Sequence, residues 1–177
     1  SWTFRNFTSL AADAGSDWTL TGKNTIASIL DNGALTIAPA ASLTVTSNVD
    51  PNSAGVFKLG GGSTLEVAAA IGMNTKMSFL GGDGRLVIDH FEAFGTNVGS
   101  ASYAGPQLQD FTSGDVIDLL PFSAGGAVLT YDALTGVLQI SNGVSQLASL
   151  SFQNSTLGGG SFHATSDGGA GLLIMRG

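Results

Sequence analysis

Few residues in this chain could do chemistry, and the densest group of them is Asp89-His90-Phe91-Glu92. His90 and Glu92 could act as a general acid/base pair, the role imidazole and carboxylate most often take. If a strand continues past Ile88, alternation points His90 inward and Asp89 to solvent. The competing reading is a strand-end histidine among exposed carboxylates, because no recognisable nucleophile accompanies the pair. His163 stands alone, and neither histidine lies in an H-E-x-x-H spacing. Gly60-Gly61-Gly62 leads into a strand pattern and not a helix, so it offers phosphate no helix N-terminus. No nucleophile elbow or dinucleotide fingerprint occurs either. Arg85 and Glu66 could share one side of neighbouring strands and face an acidic sugar, but the charged inventory hardly supplies a clamp, an acid and a base at once. Asp50-Pro51 is an acid-labile bond of the kind a processing site uses, and Asn48-Val49-Asp50-Pro51-Asn52 also reads as a turn. Thr19 with Thr21 and Thr44 with Thr46 suggest an ice-binding face, but the threonines do not recur with a coil period.

Those residues sit in an acidic, uncharged-looking background. Thirteen Asp and Glu against six Lys and Arg give a net charge of −7, which argues against a phosphate backbone as partner. With no cysteine there is no disulfide, thiolate metal site or Cys nucleophile, and the compartment stays open. Apolar stretches such as Val67 to Ile71 are too short to span a bilayer, and Ser1-Trp2-Thr3-Phe4 begins no signal peptide, so the chain reads as a soluble piece of something longer. Eleven of the acidic residues are Asp, set beside Gly, Asn or Ser, as in Asp31-Asn32-Gly33 and Asp167-Gly168-Gly169; these are turn residues. Glu and Lys, common on helix surfaces, are scarce, while Val, Ile, Leu, Thr and Phe fill the apolar runs. The chain is predicted to be all-β.

The elements that would position these groups follow a period. Ile37, Leu43 and Val45 recur as Leu59, Leu65 and Val67, and again as Leu80, Leu86 and Ile88, a nearly constant step along the chain. An apolar-x-apolar strand with a Gly-rich corner, repeated at about 21 to 22 positions, predicts a right-handed parallel β-solenoid of β-helix or β-roll type. Arg85 would then stand over Thr64. Inward Leu, Val and Ile would stack about 4.8 Å apart, and the whole chain would make roughly eight coils, about 40 Å of stack. One domain over 1–177 is expected: an N-terminal cap and first coil at 1–30, regular coils at 31–95, and less regular coils at 96–177. Thr8 to Gly15 reads as a short capping helix with Thr8 at the N-cap. Gly95 to Ser102 reads as an excursion from the stack. Strands are expected again at Val116–Leu119, Val128–Tyr131, Val137–Ile140, Leu147–Phe152 and Leu172–Met175, with Asp132 to Gly136 a hairpin or a coil corner. An antiparallel sandwich is the competing fold.

Two stretches resemble a known family. Gly81-Gly82-Asp83-Gly84-Arg85-Leu86-Val87-Ile88 resembles the glycine-rich nonapeptide of the repeats-in-toxin proteins, and Leu108-Gln109-Asp110-Phe111-Thr112-Ser113-Gly114-Asp115-Val116-Ile117-Asp118-Leu119 resembles their I-x-D-F-x-x-G-D-x-I-D-L segment. Leu59 to Val67 is similar to repeats of large autotransporter-like surface proteins. The likeness spans roughly residues 55 to 120. It implies a secreted bacterial β-solenoid at the cell surface. It also implies calcium, held in that family by an Asp at the sixth position of the nonapeptide; Leu86 stands there, so the repeated calcium ladder cannot form. Asp110, Asp115 and Asp118 keep the second motif and are the candidate Ca²⁺ ligands, with turn capping as their alternative role.

The expected function is therefore a noncatalytic structural or adhesive module of a larger secreted surface protein, meeting polysaccharide, a neighbouring cell or other modules of the same protein. The rivals are a calcium-responsive accessory domain of a secreted enzyme or toxin, and a polysaccharide-acting enzyme centred on His90.

Overall fold

The computed structural model describes residues 7–68, 70–143 and 146–177. Ser1-Trp2-Thr3-Phe4 lies outside them.

Two eight-stranded sheets face each other. The chain alternates between them: β1 (Ser9–Ala12), β3 (Lys23–Asp31), β5 (Ser42–Val49), β7 (Thr64–Val67), β9 (Arg85–Ile88) and β11 (Val116–Leu119) stack in parallel on the first sheet. β2 (Asp17–Leu20), β4 (Ala34–Ile37), β6 (Val56–Leu59), β8 (Lys76–Phe79) and β10 (Gln107–Gln109) do the same on the second. This is a β-solenoid of about four turns.

Period-two patterning produces it. Leu43, Leu65, Leu86 and Ile117 lie opposite one another in register, as do Val45, Val67, Ile88 and Leu119, and all eight are at most 1% exposed. Leu35, Phe57, Met77 and Leu108 form the facing row. Each such side chain contributes about 1.5–3 kcal/mol by leaving water, and one continuous cluster from Ile26 to Ile174 holds both sheets together.

Four expectations change. The stack has about four turns and not eight, because the last third of the chain turns back on itself. β16 (Leu172–Arg176) pairs antiparallel with β11, and β15 (Phe162–Ser166) antiparallel with β16. On the other sheet β14 (Leu147–Phe152) joins β10, then β13 (Val137–Asn142) and β12 (Ala127–Asp132) follow as antiparallel strands. Asp132 to Gly136 is accordingly a hairpin, closed by the Gly136 N–H donating to the Asp132 carbonyl at 2.8 Å. The expected capping helix over Thr8–Gly15 is strand β1, where pairing with Ser28–Asp31 outweighs helix propensity in so short a segment.

The third change concerns Leu80. Leu59 stacks on Phe79, and Leu80 is 42% exposed, because the corner at 80–84 is one position longer than those at 38–41 and 60–63. The fourth is the strand end at Ile88, which leads into a 3-10 turn at Phe91–Ala93, so His90 does not alternate inward. The excursion read at 95–102 is present: the coil from Arg85 to its partner Val116 is half as long again as the one from Thr64 to Arg85. Phe91 and Phe94 turn back into the core there, and the Tyr103 hydroxyl donates to the Phe94 carbonyl at 2.6 Å.

Corners carry the backbone strain. Two positions before β5, β7 and β9 stand Ala40, Gly62 and Asp83, with φ of 60°, 68° and 59°. Nothing lies within 4 Å of where a Gly62 Cβ would sit, so only conformation opposes a side chain there. Gly62→Ala is expected to lower stability by about 1–2 kcal/mol, and Ala40→Gly to raise the thermal midpoint by about 2 °C. Urea unfolding tests the register in the same way: Phe79→Ala should lose about 3–5 kcal/mol, and Leu80→Ser under about 0.5 kcal/mol.

Candidate functional site

The outer face of the first sheet carries Lys23, Glu66, Arg85 and Asp118. Because Leu65 and Val67 face the core, their neighbours face out, and stacking sets Thr25, Thr44, Glu66, Val87 and Asp118 in one row and Lys23, Ser42, Thr64, Arg85 and Val116 in the next. Arg85 stands over Thr64, and Thr44 leads to Glu66 and Val87, as the period predicts. The Thr44 hydroxyl donates to Glu66 Oε2 at 3.0 Å.

At the centre of this face the Arg85 guanidinium donates to Asp118 Oδ2 at 2.5 Å. The arginine side chain is 45% exposed and that of Asp118 3%. What buries Asp118 is the turn between β15 and β16: a Cβ on Gly171 would lie 2.7 Å from Asp118 Oδ1 and 2.6 Å from Asp167 Oδ2, so only glycine lets this turn close over the carboxylate. Asp167 holds the turn by accepting the Gly169 and Gly171 N–H groups at 2.6 and 3.0 Å. Those two bonds, with a smaller pull from Arg85, hold its carboxyl below the usual range. Asp89, farther along the same edge, is pushed up chiefly by burial and then by the charge of Glu66, with His90 opposing and Asp118 adding slightly.

The three motif aspartates each bond the coil beneath them. Asp110 Oδ2 accepts from the Ser78 hydroxyl at 2.6 Å. Asp115 Oδ1 accepts from the Gly84 N–H at 2.9 Å, and its Oδ2 takes the Thr112 N–H and hydroxyl at 2.8 and 2.9 Å. Asp118 takes Arg85. Asp110 follows a strand of the second sheet, Asp118 lies on the first, and Asp115 sits at the corner between, so the fold spreads them out. Asp118 Oδ1 has no partner among the described residues. Among those residues, no three His, Asp or Glu side chains gather in a way that could hold a metal ion.

His90 does meet Glu92, Nδ1 to Oε1 at 3.1 Å, with both side chains more than half exposed. Asp50-Pro51 forms the turn read from its sequence, with the Asn52 N–H donating to Asp50 Oδ1 at 2.8 Å.

Asp31 is a turn residue by its sequence, and it does accept the Gly33 N–H at 3.0 Å, but its side chain is buried inside the solenoid with Oδ2 unpartnered. Ile29 and Asp31 alternate inward after a bulge between Ile26 and Ser28, and that i, i+2 spacing was the available signal. Burial outweighs the Gly33 bond and raises its pKa to about 6.

No known family model matches this chain, and no curated protein does either. Function is read from the geometry.

Since folded Asp31 holds its proton more tightly than the unfolded chain does, its favourable contribution is complete below about pH 3.8 and is lost as pH rises through about 6. Asp31→Asn should match wild type near pH 3.5 and exceed it at pH 7 by on the order of 2 kcal/mol. Denaturant unfolding at both pH values checks this.

Proposed function

We propose that this chain is a noncatalytic structural or adhesive module of a secreted bacterial surface protein, a rigid stack whose outer face meets polysaccharide or a protein partner. The observation that carries this reading is the pair of outward rows on the first sheet. Thr25, Thr44, Ser42 and Thr64 offer hydroxyls on neighbouring strands, a fixed spacing of about 4.8 Å. A rigid array of donors and acceptors loses little freedom when a polymer settles on it, which is how preorganisation aids binding.

The charges narrow the ligand. Lys23 and Arg85 are the cations of these two rows, and Arg85 already bonds Asp118 and has Asp167 near it, while Glu66 and Asp89 add negative charge to the same face. A polyanion would meet net repulsion there, so the ligand is a neutral glycan or an uncharged polar protein strip. The exposed His90–Glu92 pair sits beside this face.

The triple variant Thr25→Val, Thr44→Val, Thr64→Val keeps β-branched shape while removing the hydroxyls. Calorimetric titration with neutral and acidic polysaccharides should show binding of a neutral polymer that weakens at least about tenfold in the variant, with the thermal midpoint little changed. Binding of acidic polymers alone, or turnover that His90→Ala abolishes, would replace this reading.

A further inference from the structure

The two ends of the stack match each other. At the first end, Trp18 occupies the inward row that continues as Leu35, Phe57, Met77 and Leu108, each at most 1% exposed, yet Trp18 itself is 46% exposed. Leu10 and Leu20 beside it are only partly buried against the core. At the other end the same holds for Leu129, Tyr131 and Phe162. Tyr131 of β12 and Phe162 of β15 meet across the gap between the sheets, ring centres 4.9 Å apart. Each end therefore shows the cross-section of the core.

The strand directions match as well. β1 runs parallel to β11 through every step of the first sheet, and two antiparallel steps, β11 to β16 and β16 to β15, bring β15 back to the sense of β1. On the second sheet β14 is parallel to β10, and two antiparallel steps bring β12 back to the sense of β2. Each sheet thus begins and ends on strands of one direction, and among the described residues nothing pairs with the outer edges of β1, β2, β12 or β15. Proteins that must stay apart blunt such edges with Lys or Pro. The four edge strands contain neither, and their only carboxylates are Asp17 and Asp132.

From this we infer that the chain assembles head to tail: the β12–β15 end of one molecule docks on the β1–β2 end of a second copy. β15 adds to β1 and β12 to β2, each in the parallel sense used inside the stack, while Leu129, Tyr131 and Phe162 close over Trp18, Leu10 and Leu20. The contact is heterologous, so it repeats along an axis and builds a filament. Four short strands form a seam at the small end of specific interfaces, so association is weak. A charge of −7 on every copy opposes it, and added salt strengthens it by screening. This contact uses the ends and leaves the outer face of the first sheet free, so glycan binding and assembly fail independently.

Sedimentation velocity from about 10 µM to about 1 mM, at low and high salt, tests the assembly. Wild type should gain mass with concentration and with salt. Trp18→Lys, blocked at the head, and Leu129→Glu, blocked at the tail, should each remain monomeric, and their equimolar mixture should stop at a heterodimer, since one sound tail and one sound head remain. Circular dichroism confirms folding, and Ala127→Glu replaces Leu129→Glu if that variant does not fold. Wild type that stays monomeric throughout overturns the inference. Association of Trp18→Lys equal to wild type also overturns it, since the seam would then not involve the head.

Discussion

Parallel strands have no tight turn available to them, so each coil must travel once round the stack before its backbone can bond the coil before it. Everything else here follows from that constraint. A residue's neighbours are those one full coil away and not those beside it in the chain. Leu65 has Leu43 and Leu86 against it, and Arg85 has Thr64. Inward positions must therefore agree from coil to coil in size and polarity, because one mismatch is met by two neighbours. Outward positions are free to vary, and the row from Thr25 to Asp118 uses that freedom, passing through two threonines, a glutamate and a valine.

The same constraint explains where carboxylates are buried. A corner brings backbone N–H groups close together at the point where the ladder pauses, and an aspartate can take them up. Asp115 does so completely, tying Thr112 in its own coil to Gly84 in the coil beneath. Asp31 does so by half, bonding Gly33 while its second oxygen lies against Gly55. The first fixes its corner with three hydrogen bonds. The second makes the early coils sensitive to proton concentration, since the neutral acid suits that site better than the anion.

Much of this was legible in the residues. The rows through Leu43 and Val45 follow from hydrophobic spacing alone, because stacked coils repeat their apolar pattern and little else competes for those positions. Corners were less readable: one added position at 80–84 shifts Phe79 into the place that spacing gives to Leu80. Strand directions beyond residue 120 were not readable either, since an antiparallel strand carries the same alternation as a parallel one. The site itself was half visible. Arg85 over Thr64 followed from the period, but its bond to Asp118 spans a coil whose length depends on the excursion, and the cover from Gly171 comes from a hairpin that no local pattern places there.

That hairpin turn joins the two halves of the molecule's character. A stack of identical coils has no natural end, and its last coil would leave a row of parallel edge groups and half-covered Leu and Ile. Folding back as antiparallel strands buries Ile117 and Leu119 under Ile174 and Leu172, and lets Asp167 and Gly171 settle over Asp118. The reversal finishes the core without removing the edge, because two reversals restore the original strand sense. A single antiparallel strand on each sheet would have presented an edge of the opposite sense to the one at β1 and β2. With two, the end of the stack repeats the direction of its beginning, and the coil-to-coil contact that built the molecule is the contact its ends can still make.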